Sequence, residues 1–208
     1  DMGMEFRPYY LGKYWRKAGH EVTVVCASYS HLRRENPRMQ NEIEERLVDG
    51  ITYIYLRTPP YTENDRKRTK NVLKFLSSLK KYAKSLASHF QPDVVIASST
   101  YPFDIYPASR LASLAGAALV YEIHDLWPFS LEVLHDYSSS HPMMQMIRLA
   151  QRHAVNRADM VVSILPHADR YLEELGLSPK QYVWLPNGID TQPEAIANFP
   201  SRHVGVIR

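Results

Sequence analysis

The residues best placed to do chemistry are His124 and Asp125, which directly follow the apolar run Ala118–Ile123. A histidine gives or takes a proton near neutral pH, and a neighbouring acid can bias its charge or its orientation. The pair is therefore a catalytic candidate. The plainer alternative is a histidine satisfied by backbone groups at the end of a strand. No HxxxH or CxxC spacing accompanies it, so a metal site is not expected. Trp127 and Pro128 come next, where an aromatic ring could stack on a ligand or close the core.

Three other features compete with that pair. In MGMEFRP, Met2–Pro8, Gly3 stands just before a helix start. Backbone N–H groups at such a point can approach a phosphate, and the helix N-terminus carries partial positive charge. A single glycine is weaker than a GxGxxG, and a glycine in a surface turn is the alternative. Ser98, Ser99 and Thr100 lack the GxSxG surround of a hydrolase elbow. Arg66, Lys67, Arg68, Lys70, Lys74, Lys80, Lys81 and Lys84 crowd one helical stretch. Its basic face could lie against anionic lipid headgroups, or it could be a solvated helix face. His31, His141 and His153 are scattered and are expected on the surface.

These residues need elements to position them, and the chain supplies an alternation of strand-like and helix-like runs. Strands are expected at Val22–Ala27, Ile51–Leu56, Asp93–Ala97, Ala118–Ile123, Met160–Leu165 and Tyr182–Leu185. Helices are expected from Pro8 to Gly19, over Asp65–Phe90, over Phe103–Ala115, over Pro142–Arg157 and over Pro166–Leu175. Ser28–Asp49 reads as a long loop with a short helix. The alternation predicts an α/β fold, a Rossmann-like doubly wound parallel sheet with helices on both faces. In such a sheet ligands bind beyond the carboxyl ends of the strands. That rule gathers Ser28, Ser98-Ser99, His124-Asp125, Leu165-Pro166 and Asn187-Gly188 around one crevice. Doubly wound folds begin with a strand, whereas this sequence opens on the loop before the first helix, so a first strand is read as missing.

Bulk properties narrow the class. The 208 residues suffice for one large domain, and 45% apolar with 23% charged residues is ordinary for a globular protein. A net charge of +3 gives no reason to expect nucleic acid as a partner. The single cysteine, Cys26, cannot form an internal disulfide, fits a reducing compartment, and is read as a small buried hydrophobe. No apolar run approaches the roughly 20 residues that span a bilayer. No signal peptide is visible, so a cytoplasmic location is expected.

Four segments in order, MGMEFRPYYLGKYWRKAGHEVTVV, YEIHDLWP, NRADMVVS and LPNGID, resemble family-4 glycosyltransferases of the GT-B fold. The resemblance runs from residue 1 to about 190. It is nearest to the transferases of bacterial O-antigen and capsule assembly, the N-acetyl-fucosamine transferases among them. It implies two Rossmann-like domains facing a cleft, of which residues 1–190 would be the acceptor-side one. Residues 191–208 would lead towards a C-terminal, donor-binding domain that this sequence lacks. It implies a nucleotide-sugar donor, retained anomeric configuration, and no metal or other cofactor. His124 would contact the donor sugar near the reacting carbon, with Asp125 beside it. Gly3, Glu5, Asn187 and Gly188 are assigned to the donor, and Arg7, Ser99 and Trp127 to the acceptor. Variable loops at Ser28–Asp49 and Tyr101–Asp104 would shape the acceptor pocket. A lipid-linked saccharide acceptor would suit the basic helix at the inner face of a membrane.

Two other readings stay open at this stage: a non-catalytic scaffold domain of the same fold, and a sugar-nucleotide epimerase. On the family reading, the 208 residues alone are expected to show no transfer.

Overall fold

The computed structural model describes residues 6–62, 66–135 and 138–188. Gly3, Glu5, Ile189, Asp190 and the 191–208 segment lie outside them.

Helix α1, Phe6–Lys17, has Pro8 in its first turn, where a missing N–H costs nothing. It passes through Gly19 at φ 92° into strand β1, Thr23–Ala27. Strand β3, Ile51–Leu56, pairs with β1 in parallel, with Thr23 opposite Thr52. Strand β2, Ile43–Val48, pairs with β3 antiparallel. Here the expectation for Ser28–Asp49 needs correction, because β2 occupies its end and no helix forms there. The reason is the two-residue turn Asp49-Gly50, with φ 51° and 80°. Such a turn matches the twist of an antiparallel pair and fixes a hairpin.

The other strands form a parallel sheet in the order β4-β5-β6-β7: Val94–Ala97, Ala118–Ile123, Met160–Ser163 and Tyr182–Trp184. Helix α2, Arg66–Phe90, leads into β4, and a 3-10 turn at Pro102–Asp104 opens α3, Ile105–Ala115. Helices α4, Phe129–His135, and α5, Pro142–Arg157, precede β6, and α6, Ala168–Glu174, precedes β7. The fold is α/β and Rossmann-like, as the alternation predicts. Helix α4 was not foreseen.

Two apolar clusters hold the layers. One packs Ala97, Leu119, Tyr121, Ile123 and Val161 against α3, α5 and α6. The other joins Ile54 and Leu56 of β3 to Phe75, Leu79, Ala83 and Leu86 of α2 and to Leu111 of α3, with Val25 and Val95 at its margin. That second cluster ties the two sheets together, each large buried side chain contributing about 1.5–3 kcal/mol. It also takes up the apolar stripe of α2, so Lys70, Lys74, Lys80, Lys81 and Lys84 are left exposed. Cys26 is half-buried rather than buried.

Candidate functional site

Strand β5 has two faces. Leu119, Tyr121 and Ile123 enter the core, while Glu122 points to the other side, as side-chain alternation requires. Glu122 is 5% exposed. A buried carboxylate needs partners, and here its two oxygens serve different ones.

Glu122 Oε1 accepts from Arg7, at 3.0 Å from Nε and 2.8 Å from Nη2. Glu122 Oε2 accepts from the Ser98 hydroxyl at 2.5 Å and lies 3.0 Å from Nε2 of His124. Ser98 Oγ is itself 3.1 Å from His124 Nε2. The site is thus assembled from the first turn of α1, the residue after β4 and the end of β5.

Arg7 reaches further. Its Nη2 donates to the Leu185 carbonyl at 3.0 Å, and Nη1 to the Pro186 carbonyl at 3.3 Å and to Asn187 Oδ1 at 3.2 Å. A guanidinium has five N–H donors, and each of Arg7's meets an acceptor. Arg7 therefore clasps the segment after β7 to the end of β5.

The electrostatics follow from these contacts. Burial alone would raise the pKa of Glu122. Hydrogen bonds from His124 and Ser98, the charge of His124 and the bond from Arg7 outweigh it and hold the pKa at about 2. Asp104 behaves oppositely. Burial pushes it up to about 6, against the opposing hydrogen bonds from Ser99. Its Oδ2 accepts the Ser99 N–H at 3.1 Å, whereas its buried Oδ1 meets no donor. The loop after β4 thus ties the Glu122 cluster to a second buried acid. Tyr101, next to that acid, is pushed above the usual phenol range, chiefly by burial.

The residues singled out in the sequence meet different fates. His124, Arg7 and Asn187 converge. Ser99 is one residue from the cluster. Asp125 is exposed, and its carbonyl accepts the Trp127 N–H at 3.0 Å. The acid that touches His124 is Glu122. Trp127 is half-buried before α4, and Gly188 is exposed. Gly3 and Glu5 lie outside the described residues. Sequence reasoning missed Glu122 as a site residue. Its signal was present: a charge inside the apolar run ALVYEI, two positions before a histidine and so on the same face. Among the described residues no cluster of three His, Cys, Asp or Glu could hold a metal ion.

Comparison with known proteins bears on the family and the fold. The sequence profile of Glycosyltransferase Family 4 matches residues 2–193. Two structures of sucrose-phosphate synthase from Thermosynechococcus elongatus share the fold. One is 18% identical with a TM-score of 0.57, the match covering 95% of this chain and 90% of that one. The other is 16% identical with a TM-score of 0.57, the match covering 92% of this chain and 46% of that one. This chain therefore spans about half of the longer synthase chain. No curated protein matches it by sequence.

Proposed function

The chain belongs to glycosyltransferase family 4, and from that premise we propose that it forms the acceptor-side part of a retaining, nucleotide-sugar-dependent transferase of bacterial surface polysaccharide synthesis. The observation that carries the reading is the cluster of His124, Glu122, Ser98 and Arg7 at the carboxyl ends of β4 and β5. That is where an open parallel sheet binds ligands.

Breaking a sugar–phosphate bond develops positive charge on the ring and negative charge on the leaving diphosphate. Fixed dipoles and donors aimed at those charges lower the barrier. His124 would contact the donor sugar, with Asp125 nearby. Gly3, Glu5, Asn187 and Gly188 would meet the donor. Ser99 and Trp127 would line the acceptor side. Arg7, with its donors engaged, fits the role of clasp better than that of acceptor ligand. Residues 1–190 would make up this domain, and 191–208 would lead to a donor-binding one that closes over the substrates and excludes water. The family resemblance calls for no metal. The exposed cations of α2 suit a lipid-linked saccharide acceptor at an anionic membrane, on the cytoplasmic side.

The test is an assay of the complete natural protein with a panel of nucleotide sugars, with and without saccharide acceptors. Acceptor-dependent release of nucleoside diphosphate supports the proposal. Conversion of a donor without acceptor would mean an epimerase, and no turnover or binding of any donor would mean a scaffold.

A further inference from the structure

Glu122 does more than fill a buried position. It is held by Arg7 through two bonds to one oxygen, an arrangement that keeps a carboxylate ionised. An ionised carboxylate only accepts hydrogen bonds. Its other oxygen, Oε2, is 3.0 Å from His124 Nε2 and accepts a hydrogen bond from the Ser98 hydroxyl at 2.5 Å. A bare Nε2 would face that oxygen lone pair to lone pair. We infer that Glu122 is the positioning residue of the site: it confines the proton of neutral His124 to Nε2 and so leaves Nδ1 as the nitrogen available to a ligand.

The consequence for the reaction is directional. A neutral histidine of this tautomer meets a bound sugar as an acceptor at Nδ1. It donates there only after taking up a proton. Arg7 acts one step further back, by holding Glu122 and the Leu185–Asn187 segment in one frame. Ser98 fills the remaining acceptor capacity of Oε2. The inference rests on the reading of His124 as the donor-contacting residue, but its test needs no substrate.

The test is nitrogen NMR of the 15N-histidine-labelled chain, at a pH where imidazole is neutral. The parent is expected to show a protonated Nε2 and a bare Nδ1 at His124. In Glu122→Gln the amide oxygen stays with Arg7 and the amide N–H₂ faces Nε2. The tautomer ratio should then move by about tenfold or more towards Nδ1–H, since a bond to a charged group is worth about 1.5–3 kcal/mol. Ser98→Ala, which keeps the carboxylate, should retain Nε2–H. A parent with its proton on Nδ1 overturns the inference without any variant. So does a Glu122→Gln ratio equal to the parent's, or a shift that appears in Ser98→Ala instead. If the tautomer behaves as expected and a His124→Ala enzyme still transfers sugar at the parent rate, the donor-contact reading fails alone.

Discussion

Arg7 Nη2 lies 2.8 Å from Oε1 of Glu122, a residue 115 positions further along the chain. The two side chains are 10% and 6% exposed, so the pair is desolvated as well as close. Such a pair contributes little relative to an apolar replacement of both partners, yet removing one leaves a buried charge uncompensated. Glu122→Ala is therefore expected to destabilise the fold by about 3–5 kcal/mol. Arg7→Lys, which keeps the charge but loses the fork, should cost less. Urea denaturation of the two variants gives the answer, and equal, small losses would contradict the pairing.

The two buried acids make opposite pH dependences. Glu122 is lowered from 4.5 to about 2 on folding, so its contribution is present above about pH 4.5 and is lost as pH falls towards 2. Asp104 is raised from 3.8 to about 6, so its contribution is complete below about pH 4 and is lost as pH rises through 6. Asp104→Asn should remove the decline between about pH 4 and 6 while leaving the acid limb unchanged. Denaturation of parent and variant across pH 2–8 measures both limbs. Curves that stay parallel would show that Asp104 does not titrate this way.

Helix α1 carries Arg7, and its seat is Gly12. A Cβ there would stand 2.9 Å from Cδ1 of Ile51, a side chain with no exposure on β3. Gly12→Ala sets that crowding against a helix-propensity gain of about 1 kcal/mol, so a small net change is expected. Gly12→Leu overfills the contact and should cost about 1–3 kcal/mol. Thermal or urea melting distinguishes the two, and a Leu variant as stable as the parent would mean that α1 is free to lift.

Most of the architecture was legible in the residues. The runs Ile51–Leu56 and Ala118–Ile123 are strands over those bounds, and Pro142–Arg157 is a helix over its own. Gly116, at φ 69°, ends α3 where a terminal glycine should. The misses have physical causes. In IEERLV the apolar positions fit a short helix as well as a strand. The Asp-Gly turn that follows decides for a hairpin, and it was there to be read. Glu122 was harder, because a lone acid in an apolar strand gains its meaning from Arg7, which only the fold brings near. The His124-Asp125 pairing looked natural from adjacency. The chain bends away just after β5, which leaves Asp125 exposed, and the His124 ring turns back to Glu122, two positions earlier on the strand.

Helix α2 presents Lys70, Lys74, Lys80, Lys81 and Lys84 to solvent, and Lys74 meets Glu42 at 2.8 Å. If that face meets anionic lipid, sedimentation with phosphatidylserine vesicles should exceed that with phosphatidylcholine vesicles and fall with salt. Replacing Lys80, Lys81 and Lys84 by Gln should abolish the difference. Equal sedimentation with both lipids would remove the membrane from the account.

The most direct test of the central claim is turnover by the complete natural protein carrying His124→Ala. With the preferred nucleotide sugar and acceptor, kcat/KM is expected to drop by about 10²–10³, the scale for losing one group aimed at developing charge. The fold should stay intact by circular dichroism. A folded His124→Ala enzyme that transfers sugar at the parent rate would contradict the assignment of this cluster as the catalytic site.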